Sequence, residues 1–337
     1  MVHELHQILI SSHTALLFVI LFLCIFMLGK AANILVEQAV QLSRKWGLPQ
    51  VVIGATIISL GTTLPEVIVS VMAAIHGSPG IALGNAVGSI ICDTGLILGI
   101  ASLLGALPIE RTIVNRQGWI QVFAVFLLVI LCLPLQNWQQ VFTLGGNFPQ
   151  WAGFLCLALL VLYIFLQIRW SQDAPEEKQV EGKEVSVLKR LSFLFAAFVV
   201  LAISSDCLIM TATEIAQRWQ IPESIIAVTL VAFGTSLPEL VTAITAVRRG
   251  HGGIAMGNVI GADILNVFLV AGAAAAVTPG GLNAGPEFFI RSFPFLIVII
   301  LAFRMGISLS KDVLQKKFGI LLLLIYLAMT ATNLIYQ

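Results

Sequence analysis

The sequence predicts an all-α membrane protein with ten transmembrane helices, arranged as two inverted five-helix repeats. Three observations lead there. Hydrophobic residues make up 58% of the 337 and charged residues only 10%, so a water-soluble domain would lack the polar groups to cover its surface. The chain also contains ten apolar runs of about the 20 residues needed to cross a hydrocarbon core. Finally, one long segment is written twice, 173 positions apart.

The ten runs fall near 9–33, 50–75, 80–105, 117–135, 151–168, 191–214, 223–247, 253–278, 287–304 and 317–335. The residues before the first run, Met1 to Gln7, lack the positive n-region of a cleaved leader, so that run is expected to remain as a span. If the helices alternate in direction, fifteen Lys and Arg collect on one side, from Arg44 and Lys45 to Lys317, against Arg218 and Arg291 on the other. The positive-inside rule then makes the first side cytoplasmic and puts both termini outside, in a plasma (inner) membrane. The polar stretch 169–190 reads as a cytoplasmic linker between a first five-helix repeat, 1–168, and a second, 191–337.

Several function classes lose support at this point. A net charge of +1 offers no basic patch for nucleic acid. Cys24, Cys92, Cys132, Cys156 and Cys207 lie in or beside apolar runs at no metal-like spacing, which predicts packing roles. There is no HExxH zinc motif and no GxGD aspartate pair, which argues against an intramembrane hydrolase. No cofactor and no protein partner are implied. Inorganic cations and the lipid bilayer are the partners the composition suggests.

The repeat carries the chemistry. Gly61-Thr62-Thr63-Leu64-Pro65-Glu66 returns as Gly234-Thr235-Ser236-Leu237-Pro238-Glu239, and Gly84-Asn85-x-x-Gly88 returns as Gly257-Asn258-x-x-Gly261. The offset is constant, 239 − 66 = 173 and 257 − 84 = 173. Laying 46–99 on 219–272 needs no gap, and roughly 20 of the 54 pairs are identical. Five helices separate the copies. Since five is odd, the second copy enters the membrane the other way round, the inverted plan of secondary transporters with a site near the midplane.

Each copy sets a carboxylate beside a helix-breaking proline. Pro65 and Pro238 have no N–H, which should free the carbonyls of Gly61 and Gly234 and disturb the helix. In lipid such groups need side chains, water or a cation as partners. Thr62, Thr63, Thr235 and Ser236 add hydroxyl oxygens next to Glu66 and Glu239, a hard-oxygen shell suited to Na⁺ or Ca²⁺. Ser89 and Asp93, four apart, share a face of the next helix, and Asn266 occupies the position of Asp93 in the second copy, since 93 + 173 = 266. Asp263 lies most of a turn from that face, at a helix interface or as a further ligand.

Glu66, Asp93, Glu239 and Asp263 fall inside apolar spans, while Lys and Arg, Lys30 apart, fall at span ends or in loops. The acids therefore either carry protons or hold mobile cations. Glu214 reads as solvated on the outer side, and Asp206, which aligns with Asn33 (33 + 173 = 206), as bonding backbone at a helix end.

The doubled GTTLPE and GTSLPE segments, each followed by a GN-x-x-G stretch, resemble the two alpha repeats of the sodium/calcium exchangers in the cation/Ca²⁺ antiporter superfamily. The likeness covers the whole membrane domain and fits a prokaryotic-type member without a large regulatory loop. It implies exchange of Ca²⁺ against Na⁺ or H⁺ by alternating access, with Glu66 and Glu239 as Ca²⁺ ligands. Na⁺ sites would use Ser59, Thr62, Thr63, Ser89, Ala232, Thr235 and Ser236, with Asp93 and Asn266 as a further pair. The first and sixth helices would slide across the rest. Four positions depart from the best-studied pattern: Asp93 and Asn266 swap the acid between halves, Ala262 replaces a serine, and Asp263 replaces an asparagine. These changes leave Na⁺ and H⁺ both open as coupling ions. A passive cation channel is the reading from another class, and an inverted pair within one chain speaks against it.

Overall fold

The computed structural model describes residues 13–134, 138–171, 186–219 and 234–335. Among them the chain is almost wholly helical. Eight helices are long and apolar enough to cross a membrane, and a bent pair makes a ninth candidate. In chain order they are α1 (Thr14–Trp46), the bent pair α2 (Gln50–Thr62) and α3 (Leu64–Ile75), α4 (Pro79–Leu104), α5 (Arg111–Cys132), α6 (Gln150–Ser171) and α7 (Val187–Arg218). After these come α8 (Leu237–Arg248), α9 (Gly252–Ala276), α10 (Phe288–Leu309) and α11 (Lys316–Ile335). The helix expected at 223–247 is described only as α8, because 220–233 lie outside the described residues. So does most of the linker.

Apolar side chains cover the outer surface, Phe22, Ile68, Val161, Phe195 and Leu324 among them, each more than half exposed. Only lipid makes such a surface stable. The centre is α9, whose residues Gly252–Leu265 are all buried, with α4 beside it. At Gly257 and Gly261 the α9 backbone touches α2: a Cβ on Gly257 would lie 2.1 Å from the Val51 carbonyl oxygen, and one on Gly261 2.6 Å from the Ala55 Cα. Small residues four apart permit this approach, as they do in other membrane helix pairs. The long helices α1 and α7 pack mainly on each other at the periphery.

The duplication is visible in the helix boundaries. Shifting Leu64–Ile75 by 173 gives 237–248, the limits of α8, and shifting Thr14 gives 187, where α7 begins. Each copy of the alpha repeat also contains a π-helical turn after the GN motif, at Cys92–Ile97 and Asn266–Ala271.

The structure differs from expectation in four respects. Helices α1 and α7 run well past their apolar cores, because Leu35, Val36, Ala39 and Leu42 continue a buried stripe on α1 beyond the uniformly apolar run. The helix is interrupted beside Pro65 as expected, but the proline starts a helix instead of interrupting one. The break falls at Thr63, with a 43° bend, and Pro65 sits in the first turn of α3, where its missing N–H costs no hydrogen bond. Two three-residue strands, β1 (Gly146–Phe148) and β2 (Leu282–Ala284), pair antiparallel between loops, too short to leave an alternating pattern. Finally, Glu214 is buried, not solvated: it pairs with Arg218 at 2.8 Å, and Arg218 reaches Thr14 Oγ1 at 3.1 Å.

Candidate functional site

Glu66 and Glu239 occupy the first turns of α3 and α8, where the backbone N–H groups of a helix start present partial positive charge. The break at Thr63 creates the first of these helix starts within a bent span, and Ser236 precedes the second. Asp93 lies in the π-helical turn of α4, and Asn266 begins the corresponding turn of α9. A π turn inserts one extra residue and re-aims the side chains around it.

The four groups converge from both copies of the repeat. Glu66, Asp93, Glu239 and Asn266 are each 1% exposed. Asp93 lies within Coulombic range of both glutamates, and the glutamates within range of each other. Among the described residues no Lys or Arg pairs with any of them; ion pairs form elsewhere, Arg218–Glu214 and Arg249–Glu37 among them.

Buried hydroxyls accompany the acids on or beside the same elements. Thr63 Oγ1, Glu66 Oε2, Ser89 Oγ, Asp93 Oδ1, Ser236 Oγ, both Glu239 carboxylate oxygens and Asn266 Oδ1 are buried and hydrogen-bonded to no described residue. Ser236 faces Asp93 and Thr62 faces Glu239, near enough to interact without forming a hydrogen bond. Buried oxygens left this way are unusual and costly. They are also all hard donors of the kind that replace a cation's hydration shell. No three His, Cys, Asp or Glu side chains converge at coordination distance among the described residues. A cation here would therefore need the neutral oxygens as well as the carboxylates.

The other sequence-predicted residues take different places. Ser59 is buried and donates to the Thr56 carbonyl at 3.3 Å. Thr235 donates to Asn85 Oδ1 and Thr62 to Asn258 Oδ1, each at 3.3 Å. Ala232 lies outside the described residues. Asp263, fully buried, uses one oxygen to accept hydrogen bonds from Thr94 and from Gln121 of α5, while its other oxygen bonds no described residue. Asp206 is not at a helix end: it projects from the middle of α7 within Coulombic range of Glu66.

Four neighbours escaped the sequence reading. Asn85 and Asn258 join the halves, and their signal was available, since each is the Asn of a doubled GN motif. Thr94 and Gln121, which hold Asp263, have no counterpart in a repeat and left no such trace.

A family model described as "Sodium/calcium exchanger protein" matches residues 16–169 and 189–335. The chain belongs to the sodium/calcium exchanger family. It is 30% identical to sodium/calcium exchanger MaX1 of Methanosarcina acetivorans over 341 residues, covering 92% of this chain and 96% of that one. It is 32% identical to inner membrane protein YrbG of Escherichia coli over 301 residues, 87% of each chain. Among solved structures, the sodium-calcium exchanger NCX_Mj soaked with Na⁺ and Sr²⁺ superposes with a TM-score of 0.78 at 26% identity, over 95% of this chain and 99% of that one. Membership makes this exchanger a membrane-embedded cation/Ca²⁺ antiporter, a transporter and not an enzyme.

Proposed function

We propose that this exchanger moves Ca²⁺ against Na⁺ by alternating access, binding its ions at the midplane between two inverted five-helix halves, 1–168 and 191–337. One observation carries the reading: among the described residues eight buried oxygens lack hydrogen-bond partners, four on the acids Glu66, Asp93 and Glu239 and four on Thr63, Ser89, Ser236 and Asn266, and no basic side chain pairs with those acids. Glu66 and Glu239, one from each half, are the shared Ca²⁺ ligands. Na⁺ sites draw on Ser59, Thr62, Thr63, Ser89, Ala232, Thr235 and Ser236, with Asp93 and Asn266 between them. Asp263 serves the helix interface through Thr94 and Gln121.

Ten spans with both termini outside and the linker 169–190 in the cytoplasm complete the arrangement, in a plasma membrane. The coincidence of helix limits at the 173-residue offset supports the two-half reading. The paired helices α1 and α7 are the mobile element. Phe198 of α7 rests against Gly61 and Ile209 against Gly234, where an added Cβ would fall 2.3 Å from either side chain. Sliding α7 along these two breaks would expose the acids to one side and then the other.

Uptake of ⁴⁵Ca into proteoliposomes under separately imposed Na⁺ and pH gradients tests the proposal. Uptake driven by an outward Na⁺ gradient supports it. Uptake driven by the pH gradient alone would assign H⁺ as the coupling ion, and uptake indifferent to both would mean a channel.

A further inference from the structure

A cavity of about 410 Å³ lies apart from the acid cluster, between the α1–α7 pair and α8. Its walls are apolar, formed by Ile25 and Leu28 of α1, Leu208 of α7, and Leu237, Val241 and Ile244 of α8. Its rim is polar, with Asn33, Thr245, Arg248 and Arg249. From Leu237 to Arg248 the helix rises about 16 Å, roughly half of a ~30 Å hydrocarbon core. The groove is thus one leaflet deep. It opens onto the lipid-facing surface, since Ile25 in its wall is 50% exposed.

The two arginines differ. Arg249 donates to the Asn33 carbonyl at 2.9 Å and faces Glu37 at 3.8 Å, which ties the end of α8 to α1. Arg248 is exposed and forms no hydrogen bond or ion pair with any described residue. It leaves an unpaired positive charge at the C-terminal end of α8.

Gly29 supplies a second observation. It lines the groove from the interior of a 33-residue helix, where glycine weakens the helix relative to alanine. A Cβ there would meet nothing within 4 Å, so no close contact in the protein accounts for the missing side chain. Its absence widens the groove.

We propose that this groove binds one anionic phospholipid, with an acyl chain along Leu28, Val241 and Ile244 and the phosphate on Arg248. Apolar walls exclude a water-filled vestibule, and the depth matches a single leaflet. The lipid would lie across the surface that sliding of α1 and α7 must shear, holding the exchanger in one of its states. That consequence rests on the sliding reading above; the binding itself does not.

Native mass spectrometry of the purified full chain, with equal palmitoyl-oleoyl phosphatidylglycerol and phosphatidylcholine added, tests it. The expected result is one retained phosphatidylglycerol, preferred about fivefold, the effect of one guanidinium near a charged headgroup. Arg248→Gln should abolish the preference and Arg248→Lys keep part of it, while Gly29→Leu should reduce retention of both lipids. Both positions lack protein contacts that these changes would break, so the variants should fold, with unfolding temperatures as the check. Equal retention of the two lipids by the wild type, or unchanged retention by both Arg248→Gln and Gly29→Leu, would overturn the proposal. Neither result depends on whether the protein exchanges Ca²⁺.

Discussion

Thr62 donates to Asn258 Oδ1 at 3.3 Å across the two halves of the chain, and the repeat-related Thr235 does the same to Asn85 at 3.3 Å. The two bonds are one bond written twice, since 235 − 62 = 173 and 258 − 85 = 173. Each ties the turn before one glutamate to the helix that carries the opposite half's Asp93 or Asn266. Asn85 goes further, donating to the Glu66 carbonyl at 3.4 Å and to Ser70 Oγ at 3.0 Å. These asparagines hold the two broken helices in register with the centre.

Cutting one strut should loosen the site without removing a ligand. A buried neutral hydrogen bond contributes about 1 kcal/mol, and Thr235 would lose its Asn85 partner while Thr62 keeps a 3.4 Å bond to the Ser59 carbonyl. Asn258→Ala and Asn85→Ala should each raise the half-saturating Ca²⁺ concentration about 5- to 10-fold in ⁴⁵Ca uptake, with the protein still inserted. An unchanged value for both variants would remove the strut role.

The glutamates should be less forgiving. Glu66→Gln or Glu239→Gln removes one of two opposed carboxylates while keeping volume and hydrogen-bonding capacity, so insertion and thermal unfolding should stay near wild type. Ca²⁺ uptake should fall to background. Normal ⁴⁵Ca exchange by Glu66→Gln would take that residue out of the site.

The sequence announced these glutamates and hid their supports, for a physical reason. A proline beside a carboxylate in an apolar run is costly in lipid wherever it occurs, so Glu66 and Glu239 stand out with no knowledge of their neighbours. Gln121 and Thr94 are polar residues in amphipathic surroundings, ordinary until α5 and α4 are seen to bracket Asp263. Helix limits followed the same division. Spans such as 317–335 ended where the apolar run ended, whereas α1 continued on an alternating buried stripe that hydropathy averages away. The β1–β2 pair depends on 133 residues of intervening chain folding back, 149 to 281, and no local pattern encodes that.

At Asp263 the hydrogen bonds separate two readings. One carboxylate oxygen accepts from both Thr94 and Gln121, and an asparagine side chain retains an oxygen that can do so. Asp263→Asn should therefore keep Ca²⁺ uptake within about threefold of wild type and leave its ion dependence unchanged. Asp263→Leu strands two buried donors and should lower stability by about 2 kcal/mol or more, seen as a drop in unfolding temperature. Loss of Na⁺ dependence in Asp263→Asn would return this residue to the ligand set.

The close contact of α9 with α2 gives a purely structural expectation. A Cβ on Gly257 would lie 2.1 Å from the Val51 carbonyl oxygen, and backbone cannot yield there as a flexible side chain could. Gly257→Val should sharply reduce the folded fraction, read by monodispersity in size-exclusion chromatography and by unfolding temperature. Gly88→Ala, where a Cβ meets nothing within 4 Å, should be silent.

Asp93 and Asn266 offer the most discriminating test, because they occupy matching positions of the repeat and differ only in which half carries the charge. If the acid neutralises a cation held between the halves, its total matters more than its side. Asp93→Asn should cut Ca²⁺ uptake by one to two orders of magnitude, since losing one of the three acids proposed as ligands weakens the field on a divalent ion at a buried site. Asn266→Asp alone adds a fourth acid and should impair release, lowering the maximal rate with tighter half-saturation. The double exchange, Asp93→Asn with Asn266→Asp, restores the count and should recover uptake beyond either single variant. A double variant no better than Asp93→Asn alone would mean that Asp93 acts through its own neighbours, Ser236 foremost, and not through the charge shared by the two halves.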